Sequence, residues 1–265
     1  MPTIKDFIAR SAFCLCLIAG QDAQAQPTAD DLSEEGFAYV AGSMLSVFYH
    51  ELGHAFIDLL DLPVFGPEED AADTLAAVLT HEIWEEEGAR QNASAYALSW
   101  LISAAEMSDE GFSAEDFGEV HALDLQRHYR HVCLFYGADP AARADFAADF
   151  ELPAGRAESC AEEYAQADRA WGRVLRDLAA EKEGLRAGLQ RESLRWQGEG
   201  EGQIAEVLRQ EVQDLNARYY LPARLNVALQ DCGEANAFYV PDEKTVIICQ
   251  EFIDYLTAQA VALEL

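Results

Sequence analysis

The stretch 37–60 limits this chain's options more than any other. It is strongly apolar with helical periodicity, and its interior carries His50-Glu51-Leu52-Gly53-His54. Histidines four apart on a helix share one face, about one turn apart, so both imidazoles can reach a single metal ion. Glu51, between them, is placed to take a proton from water rather than to bind the metal. The pattern therefore points to metal-assisted hydrolysis.

A catalytic zinc takes three protein ligands and keeps one position open. Pro63 and Gly66-Pro67 break the first helix, and Pro67 suits the first turn of a second, with Glu68, Glu69 and Asp70 near its positive end. Glu69 and Asp73 lie four apart on one face of that helix, which the turn folds back against the first. Glu69 is the expected third ligand. Asp73 would accept a hydrogen bond from the distal N–H of a ligand histidine and fix its tautomer. Glu68 is the rival ligand, without a four-residue partner on its own face. The alanines at 71 and 72 let the two helices approach closely.

Composition narrows the partners. The 265 residues are 50% hydrophobic and 25% charged, which suits a globular chain and excludes disordered, collagen-like and low-complexity classes. Eighteen Lys+Arg against 48 Asp+Glu give a net charge of −30, so nucleic acid is excluded as a partner and an anionic membrane surface would repel the chain. Residues 1–25 read as a secretory leader: Lys5 and Arg10, a short apolar run at 11–20, and a cleavage site at Ala23-Gln24-Ala25. The expected mature protein, 26–265, is one exported domain, periplasmic or secreted, with no membrane span. Its oligomeric state is not readable. Export leaves Cys133, Cys160, Cys232 and Cys249 in an oxidising compartment, where two disulfides have three possible connectivities. Clustering favours Cys133–Cys160 and Cys232–Cys249; a four-cysteine zinc site lacks any CxxC pair.

The second helix is expected to run to about 86 and a third to cover 93–106, followed by an acidic connection at 109–119. Helical patterning at 120–136 precedes a Pro/Ala-rich loop at 138–155 and a long charge-laced helical stretch at 156–196, interrupted near Gly172 or Gly184. Gly198-Glu199-Gly200-Glu201-Gly202 reads as a linker and 203–218 as a helix. Strands at 224–229, 237–240 and 245–249 follow, the last two joined as a hairpin through Pro241-Asp242-Glu243-Lys244, before a final helix at 251–264. The expected class is mainly α with a small antiparallel β-sheet (α+β). Hydrolysis also needs a donor for the developing oxyanion, and the 121–136 segment offers His121, Arg127, His128, Tyr129 and His131. His81 could also face the site, although a surface position suits it better.

HELGH followed by ExxAD resembles the gluzincin-type metallopeptidases, in which a helix glutamate completes the HExxH zinc site. More closely, HELGHAFIDLLDLPVFGPEEDAADTLA resembles a bacterial family described as "putative metallopeptidase". The likeness continues in HALDLQRHYRHVCLFYGADP, RAESCAEEYAQADRAW and CGEANAFYVPDEKTVIICQEF, so it covers most of the mature chain. It implies a zincin-like core, a resident Zn²⁺, a peptide or protein substrate, and His121, Arg127 and Tyr129 rather than His128 as further catalytic residues. In related gluzincins an NAF-containing strand pair precedes HExxH; here Asn236-Ala237-Phe238 lies near the C-terminus, so the order looks circularly permuted. The hairpin would then lie beside the first helix and offer a sheet edge to an extended substrate, or serve as a disulfide-pinned cap. The alternative function is a periplasmic binding or scaffold protein that keeps a zinc site without turnover. The two readings differ at Glu51.

Overall fold

Ser33 opens the first helix, α1 (Glu34–Leu60), by accepting the Gly36 N–H through its side chain, and Asp61 closes it in the left-handed conformation at φ 52°. The computed structural model describes residues 27–108, 117–118, 120–185, 193–198 and 200–265; the expected leader at 1–25 lies outside them, as does most of the acidic connection at 109–119. Val40, Met44, Phe48, Leu52 and Ala55 of α1 are completely buried, and so is Tyr49 on a neighbouring face. A helix buried on several faces needs neighbours all round it. They are α2 (Glu68–Ile83), α3 (Glu86–Ser108), and, from the far end of the chain, a short sheet and its last helix.

The chain continues through α4 (Asp124–Ala138), α5 (Ala144–Asp149) and α6 (Ala154–Ala167). A π-helical turn, Asp168–Gly172, leads into α7 (Arg173–Leu185), and β1 (Leu194–Trp196) and α8 (Gln203–Arg218) follow. Next come β2 (Leu225–Gln230), β3 (Ala237–Val240), β4 (Thr245–Cys249) and α9 (Gln250–Ala262). Among the described residues no helix is long and apolar enough to cross a membrane.

Several expectations need correction. The sheet is mixed, not antiparallel: its order is β1-β2-β4-β3, with β1–β2 and β2–β4 parallel and only β3–β4 antiparallel. The hairpin was legible because its turn is local, whereas the β2–β4 pairing joins strands that the hairpin separates. β4 is buried at all five positions, as a central strand should be, while β3 is half-buried at the edge. The stretch 156–196 is not helical throughout, because Leu194–Trp196 pairs with β2. The helix expected from 120 begins at Asp124, so His121 precedes it. The supposed loop at 138–155 contains α5, whose Phe146 packs with Phe135. In the segment read as a linker, Gly198 and Gly200 lie against Leu229 of β2.

Two features set the distance between α1 and α2. A Cβ on Gly53 would fall 2.7 Å from the Cα of Ala72, so glycine here permits a helix contact that any side chain would force apart. Ala72 is itself fully buried. The disulfides pair as clustering suggested: Cys133–Cys160 ties α4 to α6, and Cys232–Cys249 ties the loop after β2 to the end of β4.

Candidate metal centre

The close α1–α2 contact brings three donor atoms together. His50 Nε2 and His54 Nε2, from successive turns of α1, are 3.2 Å apart, and Glu69 Oε2 from α2 lies 3.2 Å from the first and 3.3 Å from the second. Three ligands on a tetrahedral zinc at about 2.0–2.1 Å stand roughly 3.3–3.4 Å from one another. His121 Nε2 approaches the same carboxylate oxygen to 2.9 Å. Glu69 Oε2 is buried, yet none of these nitrogens meets it with hydrogen-bonding geometry. Nitrogens that converge on a buried carboxylate oxygen without satisfying it fit a cation placed between them. The donor atoms of His50, Glu69 and His121 also form a group within 4.8 Å of one another.

Electrostatics agrees with this arrangement. Burial alone would push the Glu69 carboxyl up, but the imidazoles of His121, His50 and His54 outweigh it and hold Glu69 ionised far below the usual carboxylate range. Glu51 is buried, and that burial raises its pKa despite the opposing pull of His50 and His54; the backbone N–H of Tyr239 also faces it.

Behind the donors stands a second set of contacts. His50 Nδ1 lies 2.8 Å from Asp73 Oδ1, the contact expected between these two side chains. Arg127 from α4 grips Asp73 with two bonds, Nε to Oδ2 at 2.9 Å and Nη2 to Oδ1 at 2.6 Å, while its guanidinium lies 3.7 Å from the centre of the Trp100 ring. Burial opposes the charge of Asp73, but Arg127 and His50 hold its pKa far down. Tyr96 OH donates to the same carboxylate at 3.4 Å.

Each sequence candidate now has a place. His50, His54, Glu69 and His121 meet at one point, with Glu51 beside them in a cleft of about 470 Å³. Arg127 lines the same cleft but is buried, with its guanidinium paired to Asp73. Tyr129 packs against His128, outside the residues that line the cleft. His128 and His131 are buried against the Ala97 and Ala93 carbonyls, and burial lowers both their pKa values, that of His131 to about 4. His81 is half-buried beside Arg143, away from the donors. Sequence reasoning missed the contact of Glu68, whose Oε1 stands 2.8 Å from His54 Nδ1 as Asp73 Oδ1 stands 2.8 Å from His50 Nδ1. The adjacency of two glutamates was the available signal. It also missed the Tyr239 hydroxyl, which donates to Asp58 at 2.6 Å and ties β3 to the last turn of α1.

A family model described as "Putative metallopeptidase" matches residues 9–175 and 200–263, which is most of the chain. No curated protein matches the chain. No solved structure matches it either.

Proposed function

The chain belongs to this metallopeptidase family, and we propose that it is an exported, zinc-dependent peptidase of gluzincin type. The observation that carries the reading is the meeting of His50, His54 and Glu69 at 3.2–3.3 Å around a buried oxygen that no hydrogen bond satisfies. When bound there, zinc would supply Lewis-acid polarisation and make water acidic near neutral pH.

The protein's own groups do the rest. Glu51, desolvated and one residue from His50, accepts a proton from the attacking water and returns it to the leaving amine. His121, half exposed at the cleft and next to Glu69, is the donor best placed to steady negative charge on a peptide oxygen. Asp73, clamped by Arg127, keeps His50 in the tautomer that leaves Nε2 free, and Glu68 does the same for His54. Residues 235–239 line the opposite wall, so an extended peptide can join the free edge of β3 as an added strand. This supports reading the fold as a zincin-like core whose strand hairpin is permuted to the C-terminus. Two disulfides and the Ala23-Gln24-Ala25 site support export to an oxidising compartment.

Zinc-loaded protein is expected to cleave members of a broad peptide library. Glu51→Gln should keep its zinc and lose cleavage. A wild type that binds zinc and cleaves nothing would favour the silent scaffold instead.

A further inference from the structure

The two walls of the cleft are anchored differently. His50, His54 and Glu69 ride on α1 and α2, inside the main core. The facing wall is an edge strand and the loop before it, with β4 as its strand neighbour. Three ties hold the start of that strand. The Cys232–Cys249 disulfide is the first, and the Cys249 N–H, which donates to the Asn236 carbonyl at 3.0 Å, is the second. Glu251, in the first turn of α9, is the third: its carboxylate accepts the Cys232 N–H at 3.0 Å and the Gly233 N–H at 2.5 Å. Gly233 takes φ 86° to bring its amide there, a conformation that favours glycine. All three ties converge on residues 249–251. The loop they hold supplies Ala235 and Asn236 to the cleft.

The disulfides also differ in access. Cys133 and Cys160 are both fully buried, whereas in the second pair Cys249 is buried and Cys232 is only half-buried. Access of a thiolate to one sulfur governs which bridge is reduced first.

We propose that the Cys232–Cys249 disulfide and Glu251 form a latch that positions the substrate-facing edge of the cleft, and that a dithiol reductant opens it; this rests on the peptidase reading above. The reductant's thiolate attacks the Cys232 sulfur, the S–S bond breaks, and Cys249 leaves as a thiolate and takes up a proton. The reductant's second thiol then displaces Cys232, closing the reductant's own disulfide, so two electrons and two protons pass to the protein. The two ties that remain, the Asn236 carbonyl bond and the Glu251 carboxylate, do not hold the loop in register by themselves, and peptide binding weakens. The metal-binding side chains lie on other elements and stay in place.

The test uses full-length protein reduced with a dithiol, desalted without air and then loaded with zinc, since dithiols chelate zinc. Thiol mapping should find Cys232 and Cys249 free while Cys133–Cys160 persists, with zinc content unchanged. KM for a cleaved peptide should rise about tenfold with a smaller change in kcat, and reoxidation should reverse it. The Cys232→Ser/Cys249→Ala protein should show the raised KM without reductant, and Glu251→Gln a smaller rise. An unchanged KM after the bridge is lost, or zinc leaving with it, overturns the latch. Hydrogen exchange separates this outcome from failure of the peptidase reading. Even in a protein that cleaves nothing, reduction should speed exchange at 232–240 and leave α1 unchanged, and equal exchange at 232–240 in both redox states would also overturn the latch.

Discussion

Two carboxyls flank α1 and meet opposite fates. On one side Glu69 turns a buried oxygen toward three imidazoles and is held ionised. On the other, Glu211 of α8 is buried with the Tyr49 hydroxyl at 2.8 Å, Tyr49 in turn accepting the Trp84 indole N–H at 2.9 Å. Burial pushes Glu211 up to about 7. Loss of water alone neutralises a carboxyl; convergent nitrogen donors keep one charged. The contrast shows that the His50 face of α1 is built around charge, while the Tyr49 face, one residue away, is built around neutral hydrogen bonds.

The largest effect that would sharpen this contrast comes from the charged side. Arg127→Met strips Asp73 of its buried counter-charge and should destabilise the fold by about 3–5 kcal/mol in denaturant unfolding; a loss below about 1 kcal/mol would mean that the pair is not doing this. Glu211 comes next. Its folded pKa lies above the ordinary carboxyl value, so its contribution is full below about pH 4.5 and is lost as pH rises through about 7. The cost of ionising it should reach the order of 3 kcal/mol above that pH. Unfolding of Glu211→Gln and wild type, compared at pH 5 and pH 8, should shift in the variant's favour at the higher pH; a constant difference would break the contrast. Asp73→Asn should weaken zinc affinity by roughly 10–100-fold, and Glu68→Gln, at a more exposed carboxylate, by less, both read by chelator competition. The smallest effect is long-range. At a net charge of −30, kcat/KM should favour Lys/Arg-containing peptides over acidic ones of equal length by a few-fold, fading as salt rises above about 0.15 M. A preference indifferent to salt would point to a shaped pocket.

What could be read from the sequence was local. The HELGH helix, the Glu69/Asp73 spacing, the hairpin and the two cysteine pairs all depend on short separations and fixed periodicities. What escaped depends on distant partners. β1 is three residues long in a charged stretch, and only pairing with β2 makes it a strand. Arg127 reads as a free donor along α4 until Asp73, from another helix, is seen to occupy it. The pattern puts His121 on a helix, yet it stands ahead of Asp124, and from there its imidazole reaches Glu69. Glu68 and Glu69 differ by one residue, and that step of about 100° around α2 sends one to the back of His54 and the other to the donor cluster.

The measurement that bears most directly on the account is the zinc content of purified full-length protein beside that of Glu69→Ala, determined by elemental analysis after equilibration with a limiting chelator. The account predicts about one zinc per wild-type chain, as a single three-ligand site requires, and almost none in the variant, because two imidazoles alone hold the ion too weakly. Equal zinc in both proteins, or none in the wild type, would contradict it.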